Sequence, residues 1–168
     1  MNIIIREFTN SEAEEISKVA YLSRSHTYKG IISEEEISRR NHQAYNPDAI
    51  RQILDYPQYT ILFIAILEGN IVGFVQPGIY NYWDEKTIDP SKAQISRIYL
   101  HPDYKKRGIG GSLLNEAQNW IKNQGFKEYV LFVHHKNLNA IGFYQHLGFV
   151  EQPENRDEDQ LCMYKQIF

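Results

Sequence analysis

The segment YLHPDYKKRGIGGSLLNEA, residues 99–117, constrains the fold of this chain more than any other stretch. It starts as an apolar run typical of a strand and breaks at His101-Pro102. Three consecutive cations follow, and glycines at 108, 110 and 111 then stand where a helical pattern starts. The first turn of a helix has N–H groups without intrahelical partners, and glycine lets an anion approach them closely. This order therefore predicts a strand, a turn and a helix that together can seat a phosphate. A solvated basic turn is the other interpretation.

Strand and helix patterns follow one another along the rest of the chain. Two capping signatures, Ser11 with Glu14 and Ser33 with Glu36, each predict a helix start. Asn46-Pro47 predicts a further short helix to about residue 56. Pro77 predicts a sheet edge or a bulge. The remaining predictions are strands at 2–8, 60–68, 71–80, 93–100, 127–134 and 161–168, helices at 110–125 and 139–147, and loops at 26–32 and 81–92.

These elements predict one α/β domain over residues 1–168. A chain of 168 residues with 42% hydrophobic residues can bury one sizeable core. The net charge of -3 argues against nucleic acid as a partner, and the absence of a long apolar run argues against a membrane span. The start, MNIIIREF, lacks the features of a signal peptide, and a single cysteine excludes an internal disulfide. We therefore expect a cytoplasmic protein.

Two motifs resemble those of the GNAT superfamily of N-acyltransferases. KKRGIG, after a strand that ends YLHP, resembles the pyrophosphate signature of that family, which reads Gln or Arg, two residues, Gly, any residue, then Gly or Ala. Lys105 departs from the usual first residue. NLNAIGFYQHLGF, residues 137–149, resembles the late motif of the family at Asn137, Ala140, Ile141, Tyr144, Gly148 and Phe149. The two motifs stand in the expected order with a strand between them.

The resemblance implies the acyltransferase fold and acetyl-CoA as co-substrate. The sheet would be mixed and mostly antiparallel, with about seven strands and with helices against it. Strands 93–100 and 127–134 would splay apart, the pantetheine arm would pair with the backbone of 98–100, and a backbone N–H there would hold the thioester oxygen. The implied cofactor-binding residues are Ile98, Tyr99, Leu100, Lys105, Lys106, Arg107, Gly108, Ile109, Gly110, Gly111, Asn137, Asn139 and Tyr144.

Acetyl transfer from a thioester to an amine requires proton movements at two atoms. The departing thiolate must gain a proton, and Tyr144 is the candidate acid because it matches the family motif. The attacking amine must lose a proton, and Gln94, at the position expected for a carboxylate base, cannot accept one. His134 or His135, a carboxylate or a water relay remain alternatives. The candidate carboxylates are Glu34, Glu35, Asp84 and Glu85.

No metal site is predicted. The remaining histidines do not form a recognisable ligand set; they are His26, His42, His101 and His146.

The resemblance also indicates an acceptor class. SHTYKGIISEEEISRR, residues 25–40, and the two motif regions resemble the bacterial spermidine/spermine N-acetyltransferases, which implies a small polyamine or a similar primary amine. Acidic runs at 34–36 and 84–85 agree with a polycation as substrate. A protein N-terminus, a lysine side chain, an aminoglycoside, and a non-catalytic module that senses acetyl-CoA remain alternatives. Edge strands and the C-terminal strand leave a homodimer open.

Overall fold

A computed structural model describes residues 2–153 and 158–168, and the described residues form one seven-stranded sheet. The strands are β1 (Ile3–Glu7), β2 (Phe63–Leu67), β3 (Asn70–Tyr80), β4 (Asp89–Leu100), β5 (Glu128–His134), β6 (Val150–Glu151) and β7 (Gln160–Gln166). Their order across the sheet is β1-β2-β3-β4-β5-β7-β6. Only β4 and β5 pair in parallel. This arrangement confirms the predicted mixed, mostly antiparallel sheet.

Helices cover both faces of the sheet. They are α1 (Ala13–Tyr28), α2 (Glu34–Ala44), α3 (Pro47–Arg51), α4 (Ile109–Asn123) and α5 (Leu138–His146). Successive side chains of a strand point to opposite faces. In β2, Phe63 and Ala65 accordingly join the core under α4, while Ile64 joins the core under α1 and α3. The middle strands are therefore buried on both sides. None of the described helices is both long and apolar enough to cross a bilayer.

The capping box of the first helix lies two residues before the predicted one, at Thr9 and Glu12. The side chain of Glu12, rather than Glu14, reaches back to cap the turn, because it accepts a hydrogen bond of 2.7 Å from the N–H of Thr9. A short 3-10 turn at Asn10–Glu12 precedes α1 and moves the cap toward the N-terminus. The other predicted caps are confirmed: Ser33 accepts from the N–H of Glu36, and Asn46 accepts from the N–H of Ala49.

Both predicted loops are shorter than expected. Residues 26–28 belong to the last turn of α1, where the guanidinium of Arg24 lies 5.0 Å from the ring centroid of Tyr28, one helical turn away. The second loop ends at residue 88, because Asp89 already pairs with Tyr80. The sequence pattern did not predict that α1 extends to Tyr28 or that β4 begins at Asp89, because both segments are rich in polar and turn-forming residues.

Pro77 lies at a bulge and not at an edge. β3 pairs with β2 on one side and with β4 on the other, and its register with β4 shifts between Gln76 and Pro77. Proline has no N–H for the ladder, so an irregular position accommodates it inside a sheet. The C-terminal strand is not an edge either, because β7 lies between β5 and β6. The edges of the described sheet are β1 and β6.

Candidate active site

The parallel strands β4 and β5 separate along their length, as predicted. They pair only from Ala93 to Ile95 and from Tyr129 to Leu131. Beyond that point the segment from Ile98 to Leu100 pairs with β3 alone. Its other edge therefore presents backbone N–H and C=O groups that an extended amide-containing chain can pair with.

Free backbone N–H groups follow at the turn into α4. The first hydrogen bond of this helix runs from the N–H of Ser112 to the carbonyl of Gly108, at 3.1 Å. Within the described residues, no hydrogen bond is donated by the N–H groups from Lys106 to Gly111. Lys106 and Gly108 both have positive φ, 61° and 81°, which folds the turn into a concave row of donors. The donor set fits a pyrophosphate.

The cations of the turn border this row of donors. Burial lowers the pKa of the Lys105 ammonium. Arg107 donates from Nη2 to the carbonyl of Asp103 at 3.1 Å, and its Cζ lies 5.2 Å from the ring centroid of Tyr104. Lys106 is exposed. These three side chains place positive charge at the turn that precedes α4.

Close packing brings α4 and α5, and hence the two sequence motifs, together. A Cβ added to Gly110 would lie 3.2 Å from Cζ of Phe143. The side chain of Asn137 caps α5, since it accepts from the N–H of Ala140 at 3.3 Å. Asn139 is exposed and makes no side-chain hydrogen bond within the described residues. The contact of Asn139 with the cofactor stays a prediction.

Tyr144 lies on the inner side of α5. It is 8% exposed, its ring packs edge-on against Phe149 at 5.5 Å, and its hydroxyl has no hydrogen-bond partner among the described residues. Burial, and then the proximity of Tyr28, raise the pKa of the Tyr144 phenol. The phenol therefore stays protonated at neutral pH.

A buried cation joins α1, α2 and β4, and the sequence analysis did not identify it. Arg24 is 5% exposed. It donates from Nε to Oδ1 of Asn41 at 2.7 Å and from Nη1 to the hydroxyl of Tyr99 at 2.6 Å. Burial is the main cause that raises the pKa of Tyr99 to about 12, with the charge of Tyr28 next. The Arg24–Tyr28 spacing in α1 is the only sequence signal for this cluster.

A cavity of about 270 Å³ lies at the bulge of β4, close to the point where β4 leaves β5. Its lining residues are Gln76, Tyr82, Trp83, Ser96 and Arg97. None of these five is a carboxylate. The sequence analysis singled out none of them, because they come from two strands and a loop that only the folded sheet brings together.

Among the described residues, none of the candidate carboxylates lines this cavity. Gln94 is buried and donates from Nε2 to Oγ of Ser96 at 3.0 Å. Asp84 is engaged in its own loop, where it accepts from the N–H of Lys86 and from the hydroxyl of Thr87. The other three candidates are exposed at residues 34, 35 and 85.

His134 and His135 lie at the end of β5 with stacked rings, 4.9 Å between centroids. Nδ1 of His134 accepts from the N–H of Lys136 at 3.2 Å, so the neutral ring carries its proton on Nε2. Burial, and then the charge of His135, lower the pKa of His134. The atoms of His134, His135 and Asp159 that could bind a metal ion lie within 4.8 Å of one another. In this tautomer Nδ1 of His134 already accepts a hydrogen bond and Nε2 carries the proton. Neither ring nitrogen then has a free lone pair for a metal ion or for the amine proton.

The chain matches the Acetyltransferase (GNAT) family over residues 27–149 and belongs to that family. The protein is an N-acetyltransferase that uses acetyl-CoA as its co-substrate. It is 32% identical over 161 residues, 94% of each chain, to the spermidine N(1)-acetyltransferase of Thermoplasma acidophilum. It is 27% identical to streptothricin acetyltransferase A of Bacillus subtilis, over 70% of this chain and 64% of that one.

Solved structures agree with the fold. The PaiA N-acetyltransferase of Thermoplasma acidophilum, solved in complex with coenzyme A, has a TM-score of 0.87 at 29% identity, over 99% of both chains.

Proposed function

We propose that the protein acetylates a primary amine of a polyamine or a similar small aliphatic amine, with Tyr144 as the general acid. One observation carries the proposal: the open edge of β4 leads into a row of free N–H groups, and α5, which bears Tyr144, packs on the start of α4. The acceptor class is supported by the relative named for spermidine, which matches 94% of this chain at 32% identity.

In this proposal the two halves of acetyl-CoA have separate seats. The backbone of 98–100 pairs with the pantetheine arm, and the turn from Lys105 to Gly111 holds the pyrophosphate. A free N–H of β4 donates to the thioester oxygen as negative charge develops on it. A preorganised donor of this kind lowers the barrier by about 3 kcal/mol. Asn137 contributes by fixing the start of α5.

The reaction moves one acetyl group and two protons. The amine nitrogen attacks the thioester carbon, a C–N bond forms, the C–S bond breaks as the carbonyl re-forms, and the nitrogen loses one proton to water to give the amide. The phenol of Tyr144 gives its proton to the departing sulfur, and solvent restores that proton later. The Tyr144 phenol is protonated at neutral pH, so it has the proton that this role requires.

The amine proton leaves through water in this mechanism. An alkylammonium with a pKa of about 10.4 costs about 4 to 5 kcal/mol to deprotonate at pH 7. Gln94 cannot accept that proton, and the residues that line the cavity include no carboxylate. Deprotonation before binding, or a chain of waters in the cavity, supplies the neutral amine.

The experiment is release of CoA thiol from acetyl-CoA across polyamines, amino acids, aminoglycosides and short peptides, with Tyr144→Phe in parallel. We expect turnover of spermidine or of small diamines that falls in the variant. Preference for peptides or aminoglycosides would refute the acceptor class. Tight binding of acetyl-CoA without turnover of any amine would instead indicate a sensing module.

A further inference from the structure

Two residues that line the cavity at the bulge of β4 each carry a buried polar atom without a partner among the described residues. They are Oε1 of Gln76 and Nη1 of Arg97, and the two residues are direct neighbours across β3 and β4. The hydroxyl of Thr60 donates to the carbonyl of Pro77, so it accepts from Nε2 of Gln76. That contact orients the amide and leaves its oxygen as the unused atom. The wall of the cavity therefore holds one unused acceptor and one unused donor just below its surface.

The charge of this donor is not balanced by a carboxylate. The Cζ atoms of Arg97 and Arg24 lie 4.7 Å and 4.5 Å from the ring centroid of Tyr45. No salt bridge within the described residues involves either guanidinium. Arg24 is buried and Arg97 is half-buried, and cations withdrawn from water are normally paired because removing a charge from water is costly. The cavity thus favours an anionic group next to Arg97.

Aromatic side chains form the outer wall. Tyr82 and Trp83 meet edge to face at 5.3 Å, and Trp83 is 59% exposed. The faces of such rings attract an ammonium group. Small-molecule pockets are typically about 300–1,000 Å³. The volume of about 270 Å³ accordingly suits a compact group. Arg97 favours a negative charge on that group, and the aromatic wall favours a positive one.

We infer that this cavity binds an α-amino carboxylate head group, so that the preferred acceptor is a diamine that also bears a carboxylate, of the ornithine or lysine type. The carboxylate accepts from Nη1 of Arg97, and the α-ammonium donates to Oε1 of Gln76 beside Trp83. A simple diamine leaves the guanidinium without an anion and adds a second positive charge. The distal amine remains for acetylation. The inference rests on the proposed acetylation of small aliphatic amines.

Matched acceptors test the inference directly. Ornithine differs from putrescine, and lysine from cadaverine, by one carboxylate. We expect kcat/KM for the amino acid to exceed that for the diamine by about 10- to 100-fold, as expected for one hydrogen bond to a charged group. The methyl ester of ornithine should lose this advantage with the wild-type protein. Mass spectrometric fragmentation should place the acetyl group on the distal nitrogen.

Variants assign the effect to the guanidinium. Arg97→Met should abolish the preference, and Arg97→Lys should retain part of it. Arg39→Met removes an exposed guanidinium of α2 that pairs with Glu36, and it should leave the preference unchanged. If Arg97→Met fails to fold, the ester and the lysine variant still decide the question.

Fluorescence of Trp83 gives a readout that does not depend on turnover. Ornithine should change the emission of the wild-type protein at concentrations where putrescine does not, and Trp83→Phe should remove the change. Turnover of putrescine equal to or better than that of ornithine, without a binding preference, would overturn the inference and leave the proposed function intact. A binding preference without acetylation of any amine would refute the proposed function and leave the head-group site standing.

Discussion

Substitutions of two glycines at the start of α4 should change protein stability in opposite directions and yet both weaken the binding of acetyl-CoA. Gly108 has φ 81°, whereas Gly111 lies in the helix, and a Cβ added at either position meets no atom within 4 Å. Gly108→Ala forces a left-handed conformation and costs about 1–2 kcal/mol. For a chain of this size that lowers Tm by about 2–8 °C. Gly111→Ala gains helix propensity of up to about 1 kcal/mol and raises Tm by up to about 4 °C.

Both substitutions should weaken acetyl-CoA binding despite these opposite effects on stability. A helical Cβ tilts toward the N-terminus, so the methyl group of Gly111→Ala points toward the proposed pyrophosphate seat. Losing one charged hydrogen bond there corresponds to an increase in Kd of about 10- to 100-fold. Isothermal titration calorimetry gives Kd, and thermal unfolding of the same samples gives Tm.

Gly142→Ala in α5 is the matched control. It is also a helical glycine with open space around its Cβ, so it should raise Tm and leave Kd unchanged. A Gly111→Ala protein that binds acetyl-CoA as tightly as the wild type would show that no anion approaches this backbone. That result would refute the assignment of the seat.

Three further substitutions test other parts of the structure. Tyr144→Phe should lower kcat by about 10²- to 10⁴-fold with unchanged Kd for acetyl-CoA; an unchanged kcat, measured by CoA thiol release, would exclude it as the acid. The side-chain hydrogen bond from Arg6 is the largest cause that lowers the pKa of Glu12, to about 2 from 4.5. The wild type should therefore be more stable than Glu12→Gln above pH 4.5, and urea unfolding should show this advantage disappearing as pH falls toward 2. Gly73→Ala would bring its Cβ to 2.9 Å from the carbonyl oxygen of Tyr99, so Tm should fall; a wild-type Tm would mean that β3 and β4 move apart easily.

Local patterns in the sequence predicted most elements because their causes are local. The helix from Ile109 to Asn123 follows from spaced apolar residues after glycine, and the caps at Ser33 and Asn46 follow from a side chain that reaches three residues ahead. The predicted capping box missed by two residues, because Glu12 bonds the N–H of Thr9 while Glu14 pairs with the distant Arg51.

The loop boundaries were less predictable because they depend on distant partners. β4 begins as early as Asp89 because that residue pairs with Tyr80 of β3. α1 extends to Tyr28, where the guanidinium of Arg24 packs on the ring. Pro77 was correctly associated with an irregular ladder, yet the pattern did not distinguish a bulge from an edge. Strand order, which no single segment encodes, decided between them.

The sequence by itself determined the family and the co-substrate, and it predicted the residues of the proposed anion seat. These features follow from contiguous motifs, since a turn with glycines and free N–H groups is a property of one short segment. Only the tertiary structure showed the cavity that we propose for the acceptor. Gln76, Trp83 and Arg97 are separated along the chain, and they meet because β3 and β4 pair and the loop between them folds over the bulge. Whether a buried polar atom finds a partner depends on every neighbour that packing brings near it, and that is a property of the whole fold.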